Sequence, residues 1–159
     1  MRLLGQQLLS VFTLLIFISL TPNVAAAMDV KGMMSYKVVG KSIPKSLTGK
    51  PGDPKKGLKT AVNRKKGNCL ACHTIPNVKQ ADHGEIGPPL MGVAKRYKEG
   101  ELRLRLVNPK KLNPDSIMPS YYRTSGYTRV QKKWKGKTII SAQDVEDILA
   151  YLKTLNTYQ

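Results

Sequence analysis

Apolar residues run from Leu8 to Leu20, preceded by Arg2 and followed by Thr21-Pro22-Asn23 and the small residues Ala25-Ala26-Ala27. A charged start, a short apolar core and a small-residue end predict a cleaved secretory signal peptide over residues 1–27. The run is short beside the ~20 apolar residues that a membrane-spanning helix needs, so no stable membrane span is expected. Residues 28–52 are rich in Lys, Gly, Ser and Pro without a sustained period and read as an extended N-terminal arm or docking segment. From residue 53 the period becomes helical. Asp53 is an N-cap with Pro54 at the first position, Leu58, Ala61, Val62 and Lys65 follow at helical spacing, and Gly67 ends the helix. Its apolar face is expected to pack on the last helix. There Ser141 is the N-cap, Asp144 completes its box, Glu146 and Asp147 complement the dipole, and Val145, Ile148, Leu149, Leu152 and Leu155 form the buried stripe. Between these helices Leu102-Arg103-Leu104-Arg105-Leu106 alternates with period two, which by itself suggests a strand. Residues 108–140 carry Pro109, Pro114, Pro119, Gly126 and Gly136 and read mostly as loop. A loop of that length in a compact domain is functional or wrapped on a cofactor. Residues 53–159 are thus expected to form one domain.

The chemistry is concentrated in Cys69-Leu70-Ala71-Cys72-His73. A turn carrying two thiols in this spacing can present both to the vinyl groups of one porphyrin, and the next residue can hold its imidazole at the iron. C-x-x-C-H therefore reads as the attachment site of one covalently bound haem c. The chain has 2 Cys and 2 His in all, so a structural zinc site would have to take His83 as its last ligand. No βαβ pattern surrounds the motif, as a thioredoxin-like pair would require. Beyond the motif, Gly87-Pro88-Pro89-Leu90 lies in a turn-rich stretch that can bring a backbone carbonyl, with Pro88 the candidate, to Nδ1 of His73 and fix its tautomer. The opposite axial position of the iron separates electron transfer from ligand binding. Met118, Met91, His83, the methionines of the arm and an open position compete for it. Met118 is preferred, because Pro119 stiffens the Ile117-Met118-Pro119 loop, whereas Met91 lies close to the proximal loop. Arg123, Arg129 and Trp134, near that distal loop, are candidates for haem propionate contacts or ordinary surface positions.

Charge adds a constraint on partners. The formal net charge is +17, with 27 Lys+Arg against 10 Asp+Glu, and removing residues 1–27 takes away one arginine and no acid. Such a surface steers towards acidic partners. With 2 Phe and 1 Trp and an export signal, nucleic acid is not expected to be among them. Haem is attached to C-x-x-C-H outside the cytoplasm, so export and motif agree, and in a bacterium the compartment is the periplasm.

Taken together, Ile43-Pro44-Lys45-Ser46-Leu47-Thr48, Gly52-Asp53-Pro54, the Lys66-to-His73 segment, Gly87-Pro88, Leu102-Arg103-Leu104-Arg105, Asn113-to-Tyr122 and Glu146-to-Leu152 resemble the SoxX family. These are the monohaem cytochrome c subunits of the SoxAX thiosulfate-oxidising complex. The resemblance implies an all-α cytochrome c fold, helices wrapped around one haem, with residues 102–107 helical despite their alternation. It implies thioethers at Cys69 and Cys72 and axial ligands His73 and Met118. The chain departs from most cytochromes c in carrying Ala61 and Lys65 where a glycine and an aromatic residue usually precede the motif. The implied partners are a SoxA-type c cytochrome in a heterodimer, a sulfur carrier protein and an acceptor cytochrome; whether a third small subunit joins is left open. The complex would act as an L-cysteine S-thiosulfotransferase, with no catalytic residue on this chain. One haem takes one electron at a time, a His/Met iron has no open site for sulfur, and no free cysteine remains. The alternatives are a free-standing periplasmic electron shuttle and, with a labile sixth ligand, a peroxidase or gas sensor.

Overall fold

The computed structural model describes residues 28–29 and 33–156; the expected signal peptide, residues 1–27, lies outside the described residues. A short antiparallel pair, β1 (Met28–Asp29) with β2 (Met33–Met34), precedes four helices: α1 (Pro54–Val62), α2 (Val93–Arg96), α3 (Glu99–Val107) and α4 (Ala142–Thr154). Single 3₁₀ turns at Cys69–Ala71, Pro109–Lys111 and Lys132–Trp134 interrupt the connecting loops.

Helix α1 begins as its sequence predicts. The Asp53 carboxylate accepts from the N–H groups of Lys55 (2.8 Å) and Lys56 (3.2 Å), and Pro54 occupies the first position, where no N–H is needed. Its end differs from the expectation. The helix stops at Val62, ahead of Lys65 and Gly67, because Asn63 turns extended (φ −73°, ψ 114°) and its side chain captures the N–H of Lys65 at 2.8 Å. An Asn side chain that competes for backbone donors breaks a helix locally. Gly67 then folds back to donate to the carbonyl of Thr60.

Helix α4 crosses α1, and glycine makes the close approach possible. A Cβ on Gly57 would overlap the carbonyl of Asp147 and lie 2.8 Å from Cβ of Tyr151. The crossing glycine therefore sits one turn ahead of Ala61, the position where the sequence lacks the usual one. Ala61 is itself buried, and Lys65 is exposed. Helix α4 is closed by a complete capping box between Ser141 and Asp144. Its Glu146 and Asp147 are not the solvated dipole partners the pattern suggests, since both are buried. Asp147 accepts from the N–H of Asp53, and Glu146 enters a buried network.

That network explains α3. Leu102, Leu104 and Leu106 are all buried, and Arg103 between them is only 2% exposed. The helix is sandwiched: Leu102 and Leu106, one turn apart, face the central cavity, while Arg103 points away to Glu146. An alternating pattern thus serves a helix buried on several sides. Glu99–Arg103 and Glu101–Arg105 pairs, at 2.6 and 2.9 Å, add i,i+4 support with the acid on the N-terminal side. Arg103 Nε and Nη2 each donate to Glu146 at 2.9 Å, and Nη1 donates to the Ile43 carbonyl at 2.8 Å. Glu146 also accepts from the N–H of Leu47 at 2.8 Å. The arm is extended but firmly seated, with Ile43 and Leu47 in the core.

Candidate haem site

Cys69 to Ala71 form a 3₁₀ turn entered through Asn68, which adopts left-handed φ (47°). The N–H groups of Cys72 and His73 both donate to the Cys69 carbonyl, at 3.1 and 2.9 Å. The thiols are not bonded to each other, and both line one cavity of about 390 Å³. The loop after the motif is laced to it by N–H donations from Gly84 to Leu70, from Gly87 to Cys72 and from Leu90 to Thr74. This lacing sets the Pro88 carbonyl 2.7 Å from Nδ1 of His73. Gly87 is where the loop passes over the imidazole, and a Cβ there would collide with the ring.

Met118 lines the same cavity as His73 and the two thiols. Its loop is pinned to α3 by hydrogen bonds from Tyr121 N–H to Leu106 and from Ser120 Oγ to Asn108 (3.1 Å), and its own N–H donates to Ser116 Oγ (3.3 Å). The remaining walls are mostly apolar and include Leu90, Val93, Leu102, Leu106, Tyr121 and Leu152. Burial pushes the Cys69 thiol up to about 11 and raises Tyr121 well above the ordinary tyrosine range, with the neighbouring thiols adding to the latter.

The other ligand candidates lie elsewhere. His83 does not line the cavity; its Nδ1 accepts from the N–H of Ile75 at 3.3 Å and its Nε2 is buried without a partner, so it is not an exposed loop residue. Met91 is also absent from the cavity, half-buried, and offers its carbonyl to Arg96. Among the described residues no three His, Cys, Asp or Glu side chains cluster as a metal site.

The cytochrome c family profile matches residues 55–156. Among solved structures, the crystal structure of SoxXA from P. pantotrophus matches with a TM-score of 0.68 and 35% sequence identity, over 77% of this chain and 95% of that chain. The chain is a cytochrome c of the SoxX family. No curated protein sequence matches it.

As a cytochrome c it is an electron-transfer protein carrying a covalently bound haem c, and its cavity suits that group. Paired thiols, an imidazole already anchored at Nδ1 and a thioether open onto one largely apolar space. Sequence reasoning missed three polar residues of this cytochrome's cavity, Arg96, Tyr97 and Arg105. Arg105 stood in the sequence only as part of the alternating Leu102-to-Leu106 run, with no sign that it lines a cavity. Arg123, Arg129 and Trp134 do not line the haem cavity but an adjoining one of about 580 Å³, which shares Cys72 and Met118 with it and is bordered by Arg64, Lys65 and Lys110. Among the described residues no helix is long and apolar enough to cross a membrane.

Proposed function

We propose that this cytochrome is the electron-transfer subunit of a SoxAX-type complex that couples thiosulfate oxidatively to a cysteine of a sulfur carrier protein. It takes up the released electrons and passes them to a small acceptor cytochrome in the periplasm. Cys69 and Cys72 hold the haem through thioethers, and His73 and Met118 are its axial ligands. The observation that carries this reading is that one cavity gathers these four side chains while His83 and Met91 stay outside it.

When bound, haem supplies a one-electron store whose potential follows its ligands and surroundings. The chain's own residues do the rest. His73 donates its Nδ1–H to the Pro88 carbonyl, which fixes the tautomer with Nε2 free for the iron and raises its basicity. The pinned loop would supply the Met118 thioether as the second ligand from the wall of the same cavity. Leu102, Leu106, Val93 and Leu152 would give the haem an apolar bed. With His73 and Met118 on the iron and both cysteines in thioethers, this chain would keep no group to bind sulfur covalently, so the thiosulfate chemistry would belong to a second, SoxA-type c cytochrome in the heterodimer.

The test is to purify the tagged protein from its own periplasm and identify what accompanies it in stoichiometric amount, then to add thiosulfate and carrier protein and follow haem reduction. A co-purifying second cytochrome with thiosulfate-dependent reduction is the expected result. A lone, thiosulfate-inert monohaem protein would replace this reading with that of a free-standing shuttle.

A further inference from the structure

The loop that follows the haem motif is tied across its base by His83, a side chain outside the haem cavity. One limb carries the chain from His73 to Ile75, and the other returns through His83, Gly84 and Gly87 to Pro88. Ile75 is 1% exposed, and its N–H goes to no backbone carbonyl among the described residues. It donates instead to Nδ1 of His83, at 3.3 Å. A backbone N–H always donates, so Nδ1 carries no proton and the ring proton sits on Nε2. That Nε2 is buried without a partner. Asp82, immediately before, adopts left-handed φ (62°), which Asp tolerates but seldom occupies. Seating His83 thus carries two local costs, and such a placement persists only where the surroundings over-determine it. Lys79 to Asp82 are exposed and supply no packing. The base of the loop does: Gly84 donates to the Leu70 carbonyl at 2.7 Å, and a Cβ on it would overlap the Ala71 carbonyl.

We propose that His83 is a positioning residue for His73, its Nδ1 holding the two limbs in register so that the Pro88 carbonyl stays on the Nδ1–H of His73. The tie spans the two limbs, since Ile75 follows His73 closely and His83 leads into the segment that carries Pro88. A carbonyl held on that N–H makes the imidazole a more basic ligand, which favours ferric iron. Loosening the tie lets the carbonyl retreat and raises the midpoint potential. Asn offers Oδ1 close to where Nδ1 stands, whereas Leu fills the space without an acceptor.

The experiment is nitrogen-15 NMR of the reduced, haem-loaded protein at neutral pH, together with the midpoint potential. In the wild type the His83 ring should be protonated at Nε2 with Nδ1 bare. His83→Leu should move the His73 Nδ1–H signal upfield, as a weakened hydrogen bond does, and raise the potential. His83→Asn should leave both near their wild-type values. Gly57→Ala, which weakens the fold at the α1–α4 crossing, should also leave both in place, because signal and potential belong to the folded state. A wild-type His83 protonated at Nδ1 overturns the assignment without any variant. So does an unmoved signal and potential in His83→Leu, or a change as large in His83→Asn or Gly57→Ala. If His83→Leu fails to accumulate with haem, the wild-type tautomer and His83→Asn decide. The inference rests on the reading of His73 as the iron ligand. A wild-type protein without haem absorption would defeat that reading, whereas an unmoved His73 signal in a haem-loaded variant defeats the role of His83 alone.

Discussion

Replacing Glu146 by alanine tests whether the buried network holds the arm, α3 and α4 together. Glu146 is 5% exposed and Arg103 2%, so the substitution leaves a guanidinium in the interior without its main counter-charge. Removing one partner of a buried pair costs ~3–5 kcal/mol. Two features move the estimate in opposite directions. Arg103 keeps Glu99 at 2.6 Å and the Ile43 carbonyl at 2.8 Å, which softens the loss. The N–H of Leu47 loses its only acceptor, which adds ~1 kcal/mol or more. A net loss of about 3–4 kcal/mol follows. For a domain of this size that corresponds to roughly 10–15 °C in the unfolding midpoint. Glu146→Gln keeps one acceptor and should lose about half as much. The assay is thermal unfolding of the haem-loaded protein by far-ultraviolet circular dichroism. Lys153→Ala serves as the control, because its 2.7 Å pair with Glu99 is exposed and worth at most ~1 kcal/mol. Trypsin adds a local reading: with Leu47 untethered, cleavage after Lys45 should accelerate. A Glu146→Ala midpoint within the range of Lys153→Ala would refute the reasoning.

Met118→Ala should abolish the methionine-to-iron charge-transfer absorption and lower the midpoint potential by on the order of 0.1 V, a fraction of the roughly 0.8 V that axial ligands span; an unchanged visible spectrum would rule Met118 out. Gly57→Ala should cost about 2 kcal/mol in urea unfolding, because the new methyl overlaps the Asp147 carbonyl at the crossing; the gain that alanine brings at an exposed helical glycine would contradict that contact. For Asp144, burial raises its pKa, but the N–H and hydroxyl of Ser141 and the ammonium of Lys66 outweigh it and hold the carboxyl below its ordinary value of 3.8. Lys153, against the opposing effect of burial and with help from Arg103, likewise holds Glu99 below 4.5. A carboxyl depressed in the folded state stabilises fully above its unfolded pKa and loses that contribution as pH falls through the folded one. Stability should therefore decline as pH drops below about 4, and Asp144→Asn should flatten that acid limb in pH-dependent melts.

Local chemistry made much of this protein legible before its fold was known. C-x-x-C-H confines both thiols and an imidazole to one turn whatever surrounds it, and Asp53-Pro54 and the Ser141–Asp144 box start helices through contacts only a few residues long. The same locality misleads where a competitor lies nearby or far off. Asn63 ended α1 early through its own side chain, a signal present in the sequence but outweighed there by the apolar spacing. The alternation at Leu102 to Leu106 pointed to a strand because periodicity cannot tell that a helix is to be buried on several sides, and the family resemblance corrected it.

The sequence by itself determined the haem motif, the helix starts, the basic character and the candidate ligands, since each depends on residue type and short spacing. Only the tertiary structure decided which of those candidates share a cavity. It moved the helix-crossing glycine to Gly57, took Glu146 and Asp147 into the interior, and placed Arg123 and Arg129 outside the haem cavity. Those outcomes depend on which surfaces meet across long stretches of chain, and there the requirement that buried polar groups be paired, not local propensity, selects the arrangement.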